Sequence, residues 1–164
     1  MVLAQPLTPI FLREQRGLSV EIIGRLYAMS SIGMVILSLA LGQLPARVGY
    51  LLAQLAVGFF TILIWRGTGL PWFAAGLCLL GGYRTARSLA AAQSRELVPP
   101  GKMGVAYGIT ESIGGSAFIL APLLAGYLYT RNPILVYNYA AILIVISLFI
   151  SVIFYIWHPQ KSKV

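Results

Sequence analysis

Long apolar blocks separated by short polar gaps dominate the pattern of this chain. A helix crosses the hydrocarbon core of a bilayer with about 20 apolar residues. Five blocks meet that requirement and predict spans over 21–43, 50–66, 70–92, 104–129 and 133–157. The gaps at 44–49, 67–69, 93–103 and 130–132 force neighbouring helices antiparallel, in a single transmembrane domain covering 1–164. Residues 1–12 read as a partial helix, apolar but too short to cross alone, and Arg13-Glu14-Gln15-Arg16-Gly17 as a water-facing loop. Ser19 is placed to cap the next helix, with Glu21 in its first turn and Arg25 at i, i+4 from that glutamate. The expected fold is an all-α membrane protein, a bundle of five transmembrane helices plus the partial N-terminal one.

Composition closes off the soluble classes. With 59% hydrophobic residues, 10% charged residues and a mean hydropathy of +0.84, the chain has more apolar surface than a soluble domain of its length can hide. The lipid bilayer is therefore its first expected partner. No cleavable signal is expected in the opening residues, which lack a basic stretch and are interrupted by Pro6 and Pro9.

Charge changes the picture further. Twelve Lys/Arg stand against four acidic residues, all Glu, for a formal net charge of +8. These bases lie at the ends of apolar blocks, where lipid headgroups and topology explain them better than nucleic acid does. One side collects Arg47, Arg95, Lys102, Lys161 and Lys163, with Arg84 and Arg87 approaching it. The other collects Arg13, Arg16, Arg66 and Arg131, with Arg25 nearby. The positive-inside rule then places the 44–49 turn, the 93–103 loop and the C-terminus in the cytoplasm, in a plasma (inner) membrane. Cys78 lies in an apolar block as a packing residue, and His158 stands in the tail beside Pro159. With no Asp, one His, one Cys and no phosphate-binding loop, neither a metal, a cofactor nor an enzymatic activity is expected.

Two internal patterns invite mechanism. In the fourth span Gly104, Gly108, Ser112 and Ser116 recur every four residues, a spacing that lets helix backbones approach closely, and Gly114-Gly115 and Pro122 invite a bend. In the third, Arg84 and Arg87 share a face, with Arg84 roughly 21 Å into a core of about 30 Å. Glu111 lies about 12 Å in from Met103 on the same side. An intramembrane glutamate without a counter-charge is costly, so Glu111 is expected to pair with Arg84 or Arg87. Such a pair either clamps the third and fourth spans together or switches, coupling protonation or an anionic substrate to helix movement.

These residues carry a resemblance. The turn Gly42-Gln43-Leu44-Pro45-Ala46-Arg47-Val48-Gly49 is similar to the cytoplasmic loop motif of the major facilitator superfamily, Gly-x-Leu-x-Asp-Arg-x-Gly. It keeps Gly42, Leu44, Arg47 and Gly49 and has Ala46 where the family has aspartate. A second family pattern of closely packed glycines looks like Gly108, Ala117, Ala121, Pro122, Ala125 and Gly126, with three glycines replaced by alanine. The chain resembles one half of such a transporter over essentially its whole length. The missing aspartate, the fragmentary opening helix and the basic tail suggest the C-terminal half, or a truncated fragment. The resemblance implies that the third span lines the substrate cavity, with Tyr83, Arg84 and Arg87 as cavity candidates and Glu111 opposite. It also implies that the second and last spans face lipid.

The implied function is transport of an unidentified small solute by alternating access, with the other six-helix half missing, separate, or replaced by a second copy. The alternative is a non-transporting membrane protein or gene fragment that only packs against a partner.

Overall fold

The computed structural model describes residues 3–157, with the side chains of 94–97 and 100 excepted. The expectations for His158, Lys161 and Lys163, and for the side of the membrane holding the C-terminus, lie outside the described residues. A 3-10 turn at Gln5–Leu7 leads into α1 (Thr8–Glu14), followed by α2 (Val20–Gly42) and α3 (Ala46–Arg66). Then come α4 (Leu70–Leu80), α5 (Gly82–Leu97), a 3-10 turn at Pro100–Lys102, α6 (Met103–Arg131) and α7 (Pro133–Trp157). No strand occurs among the described residues.

Four of these helices, α2, α3, α6 and α7, are long and apolar enough to cross a membrane. The segment expected as a single span over 70–92 differs. It is two helices of 11 and 16 residues that meet at Gly81, where the Gly81 N–H bonds the Cys78 carbonyl at 3.2 Å in a tightened last turn. The Gly81-Gly82 pair is the kind of site where helices break. There Gly81 lies against the backbone of Met34, and a Cβ on it would fall 2.4 Å from the Met34 nitrogen. A Cβ on Gly33 would fall 2.2 Å from the Cys78 carbonyl oxygen. The two glycines let α2 and α4 pack backbone to backbone.

α3 is the centre of the bundle, packed on α2, α4, α5 and α7. Gly49, Ala53, Gln54, Ala56, Val57, Phe60, Thr61 and Ile64 are buried along it at spacings of three and four residues. That corrects the expectation that the second span faces lipid. Small and polar residues on this stripe leave room for neighbours and need partners. Gln54 finds them on α7, donating to the Ser147 and Ser151 hydroxyls at 3.1 and 3.2 Å. α7 turns Val136, Tyr137, Ala140 and Ile144 toward this core and leaves the rest of its apolar surface outward.

α6 reverses the other packing expectation. Its stripe of Gly104, Gly108, Ser112 and Ser116 is exposed, and no atom of another helix lies within 4 Å of a Cβ built on any of its five glycines. Of its described residues Ala125 alone is buried, and 6% of its apolar window is covered against 44% in α3. Periodicity makes a helix capable of close approach without saying that a partner stands there. The helix runs unbroken through Gly114, Gly115 and Pro122.

The N-terminal segment is part of the core. Thr8, Phe11 and Leu12 are buried, with the Phe11 and Tyr137 ring centroids 4.5 Å apart. Gly17, at φ +66°, turns the chain so that the Leu18 N–H reaches the Leu12 carbonyl at 3.1 Å. The loop is only partly water-facing. Arg13, Glu14 and Gln15 are exposed, but Arg16 lies over Phe11 and Phe73 and donates to the Trp65 carbonyl at the end of α3. Ser19 caps α2 by accepting from the Ile22 N–H at 3.3 Å, and Arg25 bonds Glu21 at 2.6 Å.

Candidate functional site

Polar side chains of α2, α5 and α6 converge on an open groove of about 710 Å³. α2 contributes Tyr27, Ser30 and Ser31, the junction of α4 and α5 contributes Leu80 and Gly81, and α5 contributes Tyr83, Arg84, Arg87 and Ser88. Glu111 and Phe118 of α6 form the far wall. The break at Gly81 sets the direction in which α5 presents this face, because everything from Gly82 onward belongs to a separate helix. Arg84 and Arg87 fall on one side of α5 through their i, i+3 spacing. Both are exposed toward the groove.

The two arginines differ in what they touch. Arg87 forms an ion pair with Glu111 across the gap between α5 and α6, and its guanidinium lies 6.0 Å from the Phe118 ring centroid. Tyr83 packs edge-on to Phe118, with centroids 6.2 Å apart. No hydrogen bond or ion pair holds the Arg84 guanidinium among the described residues, while its backbone carbonyl accepts from the Ser88 hydroxyl at 3.1 Å. Two arginines against one glutamate leave the described groove lining with one uncompensated positive charge. A second cavity of about 300 Å³, between α3, α5 and α6, shares Tyr83, Arg87, Glu111 and Phe118 with the groove. The ion pair and its two aromatic neighbours thus border both spaces.

Tyr83, Arg84, Arg87 and Glu111, the residues singled out from the sequence, therefore lie together, with Glu111 on Arg87 rather than Arg84. Phe118 was missed. Its place was legible in principle, seven residues and two turns from Glu111 on the same face of α6. Tyr27, Ser30 and Ser31 gave no such signal, because nothing in the local pattern says which face of α2 meets α5.

The loop motif lies elsewhere, at the end of the bundle formed by the start of α3 and the ends of α5 and α7. Gly42 closes α2 in open space, whereas a Cβ on Gly49 would fall 2.7 Å from the Leu41 carbonyl oxygen. Arg47 sits over the Tyr155 ring at 5.3 Å, and Leu44 is exposed. Gln93 donates to the Ala46 carbonyl at 3.0 Å and accepts from the Tyr155 hydroxyl at 2.8 Å, tying α3, α5 and α7 together. In the second motif Ala117 lines the smaller cavity, Ala121 packs at the core edge, Ala125 is buried, Pro122 is exposed, and a Cβ on Gly108 or Gly126 would meet no neighbouring helix within 4 Å.

Among the described residues no group of three or more His, Cys, Asp or Glu is gathered to hold a metal ion. Comparison with known families returns one described as Major Facilitator Superfamily, matched over residues 1–164. No curated protein and no solved structure matches the chain.

Proposed function

The chain belongs to the Major Facilitator Superfamily, and we propose that it carries a small solute through the groove between α2, α5 and α6 as the C-terminal half of a secondary transporter. Members of this family are membrane transporters, and the apolar helices make this chain an integral membrane protein. The observation that carries the finer reading is the Arg84–Arg87–Glu111 cluster on an open face of the bundle. Ionisable groups at membrane depth stand against lipid only at high cost, so this face belongs to water or to protein. A groove of about 710 Å³ with a polar floor and aromatic walls suits a small solute. A second bundle, in the same chain, a separate chain or a second copy, closes the open side and rocks against this one. The Arg87–Glu111 pair borders both cavities and is the contact that breaks and reforms.

The 44–49 turn and the 93–103 loop lie on the cytoplasmic side in this reading, in a plasma membrane. Labelling of a cysteine placed at Lys102 by a membrane-impermeant maleimide, only after permeabilisation, is the expected outcome. Transport is tested by solute-driven counterflow in proteoliposomes, using the chain with any second bundle that co-purifies. The expected result is saturable flux, lost at least about tenfold in Arg87→Gln. Flux equal to that of protein-free liposomes for every solute refutes the reading. The exposed small-residue face of α6 favours the remaining alternative, a subunit that only packs, and stable co-purification without flux supports that instead.

A further inference from the structure

Arg84 is the unmatched charge of the groove. A guanidinium does not give up its proton, so it meets a low-dielectric surrounding only in the company of an anion. Glu111, the described acidic group of the groove, is held by Arg87. Arg84 projects into the same space with no anion of the chain beside it among the described residues. Around it the wall changes character. Ser31 offers a hydroxyl, those of Ser30 and Ser88 being donated to the Tyr27 and Arg84 carbonyls, whereas Leu80, Met34 and Phe118 offer an apolar surface.

We propose that the groove binds a small organic monoanion, its acidic group gripped by Arg84 and its apolar body laid against Phe118, Leu80 and Met34. This rests on the transport reading of the same groove and names the class of solute. The planar fork of arginine matches a carboxylate through two parallel hydrogen bonds. One negative charge neutralises the single excess positive charge, a cation is repelled by it, and a dianion overshoots it. An inorganic anion leaves the apolar wall uncovered. Binding itself leaves the Arg87–Glu111 pair in place, because the solute does not need Arg87; the pair breaks only in the later rocking of the two bundles.

The test is ligand-induced thermal stabilisation of the purified full chain in lipid nanodiscs at constant ionic strength. The probes are butyrate and benzoate, matched with butyramide, butylammonium and inorganic sulfate. The expected result is a saturable stabilisation by the two monocarboxylates alone. Arg84→Gln weakens their apparent affinity by about ten- to a hundredfold, the range set by a bidentate charge-assisted pair. Arg84→Lys keeps the charge without the fork and falls between. Arg131→Gln, which removes a positive charge that lies over Tyr127 and does not line the groove, leaves the affinity unchanged. The proposal is overturned by equal stabilisation from the amide or the amine, by no response to either monocarboxylate, or by an Arg84→Gln protein that responds like the parent. Stabilisation by monocarboxylates with no flux in proteoliposomes would instead remove the transport reading and leave the binding class standing.

Discussion

Replacing Gly33 with alanine tests where this bundle is packed most tightly. A methyl carbon there would fall 2.2 Å from the Cys78 carbonyl oxygen, 2.5 Å from its Cα and 2.6 Å from its carbonyl carbon. All three are backbone atoms of α4, so no side chain can rotate away. Restoring an ordinary contact of 3.4 Å requires α2 and α4 to separate locally by about 1.2 Å. A gap of 0.5–1 Å already forfeits about a quarter to a half of a dispersion contact, and the loosened face includes the Gly81–Met34 approach one turn on. Overpacking of this kind costs about 1–3 kcal/mol. The matched control is Gly108→Ala on α6, where the new methyl meets nothing within 4 Å. Helix propensity alone makes that change neutral or stabilising by up to about 1 kcal/mol. Equilibrium unfolding in bicelles titrated with a denaturing detergent measures both. Should Gly33→Ala prove as stable as Gly108→Ala, the backbone-to-backbone seat of α2 on α4 is wrong, and with it the direction in which α5 presents its arginines. Because Met34, Leu80 and Gly81 also line the groove, the same variant is expected to weaken solute binding.

Three further outcomes follow from particular contacts. In double-mutant cycles by the same unfolding assay, Arg87→Gln and Glu111→Gln are expected to couple beyond the about 0.3–0.5 kcal/mol limit of additivity, whereas Arg84→Gln and Glu111→Gln are expected to add. Coupling of equal size in both cycles would show that Glu111 is shared. Tyr137→Ala is expected to destabilise by about 3–5 kcal/mol, because the ring is fully buried against Phe11, and limited proteolysis should then cut near Arg13 and Arg16; resistance equal to the parent would mean that α1 is not docked through this ring. Gln93→Ala removes the bridge from the Ala46 carbonyl to Tyr155 and is expected to speed hydrogen exchange at the start of α3 while leaving the Trp65 end unchanged; uniform exchange along α3 would argue against a local tie.

Much of the architecture was legible in the apolar pattern. The spans at 21–43, 50–66, 104–129 and 133–157 differ from α2, α3, α6 and α7 by at most four residues at an end, since apolar length and Gly, Pro or Asn gaps mark helix limits locally. The break at Gly81 was not marked, because Gly81-Gly82 sits in the same apolar block and a glycine pair permits a bend without requiring one. In the candidate site, the i, i+3 spacing of Arg84 and Arg87 and the matching depth of Glu111 brought three groups to one level. They could not choose between the arginines, a choice made by the few ångströms that separate neighbouring turns of α5 from α6.

Composition, periodicity and charge placement by themselves determined that this chain is a membrane bundle and set the approximate limits of α2, α3, α6 and α7. These are properties of single segments, written into the chain at every turn. Only the tertiary structure decided which small residues are used for close approach and which stand free. Gly33 and Gly81 meet backbone, Gly108 meets no neighbouring helix, and α3, expected to face lipid, occupies the centre. In lipid no hydrophobic difference separates an inward face from an outward one. Partner choice therefore rests on shape and hydrogen bonding between distant segments, and the same rule leaves Glu111 on Arg87 and Arg84 facing the groove alone.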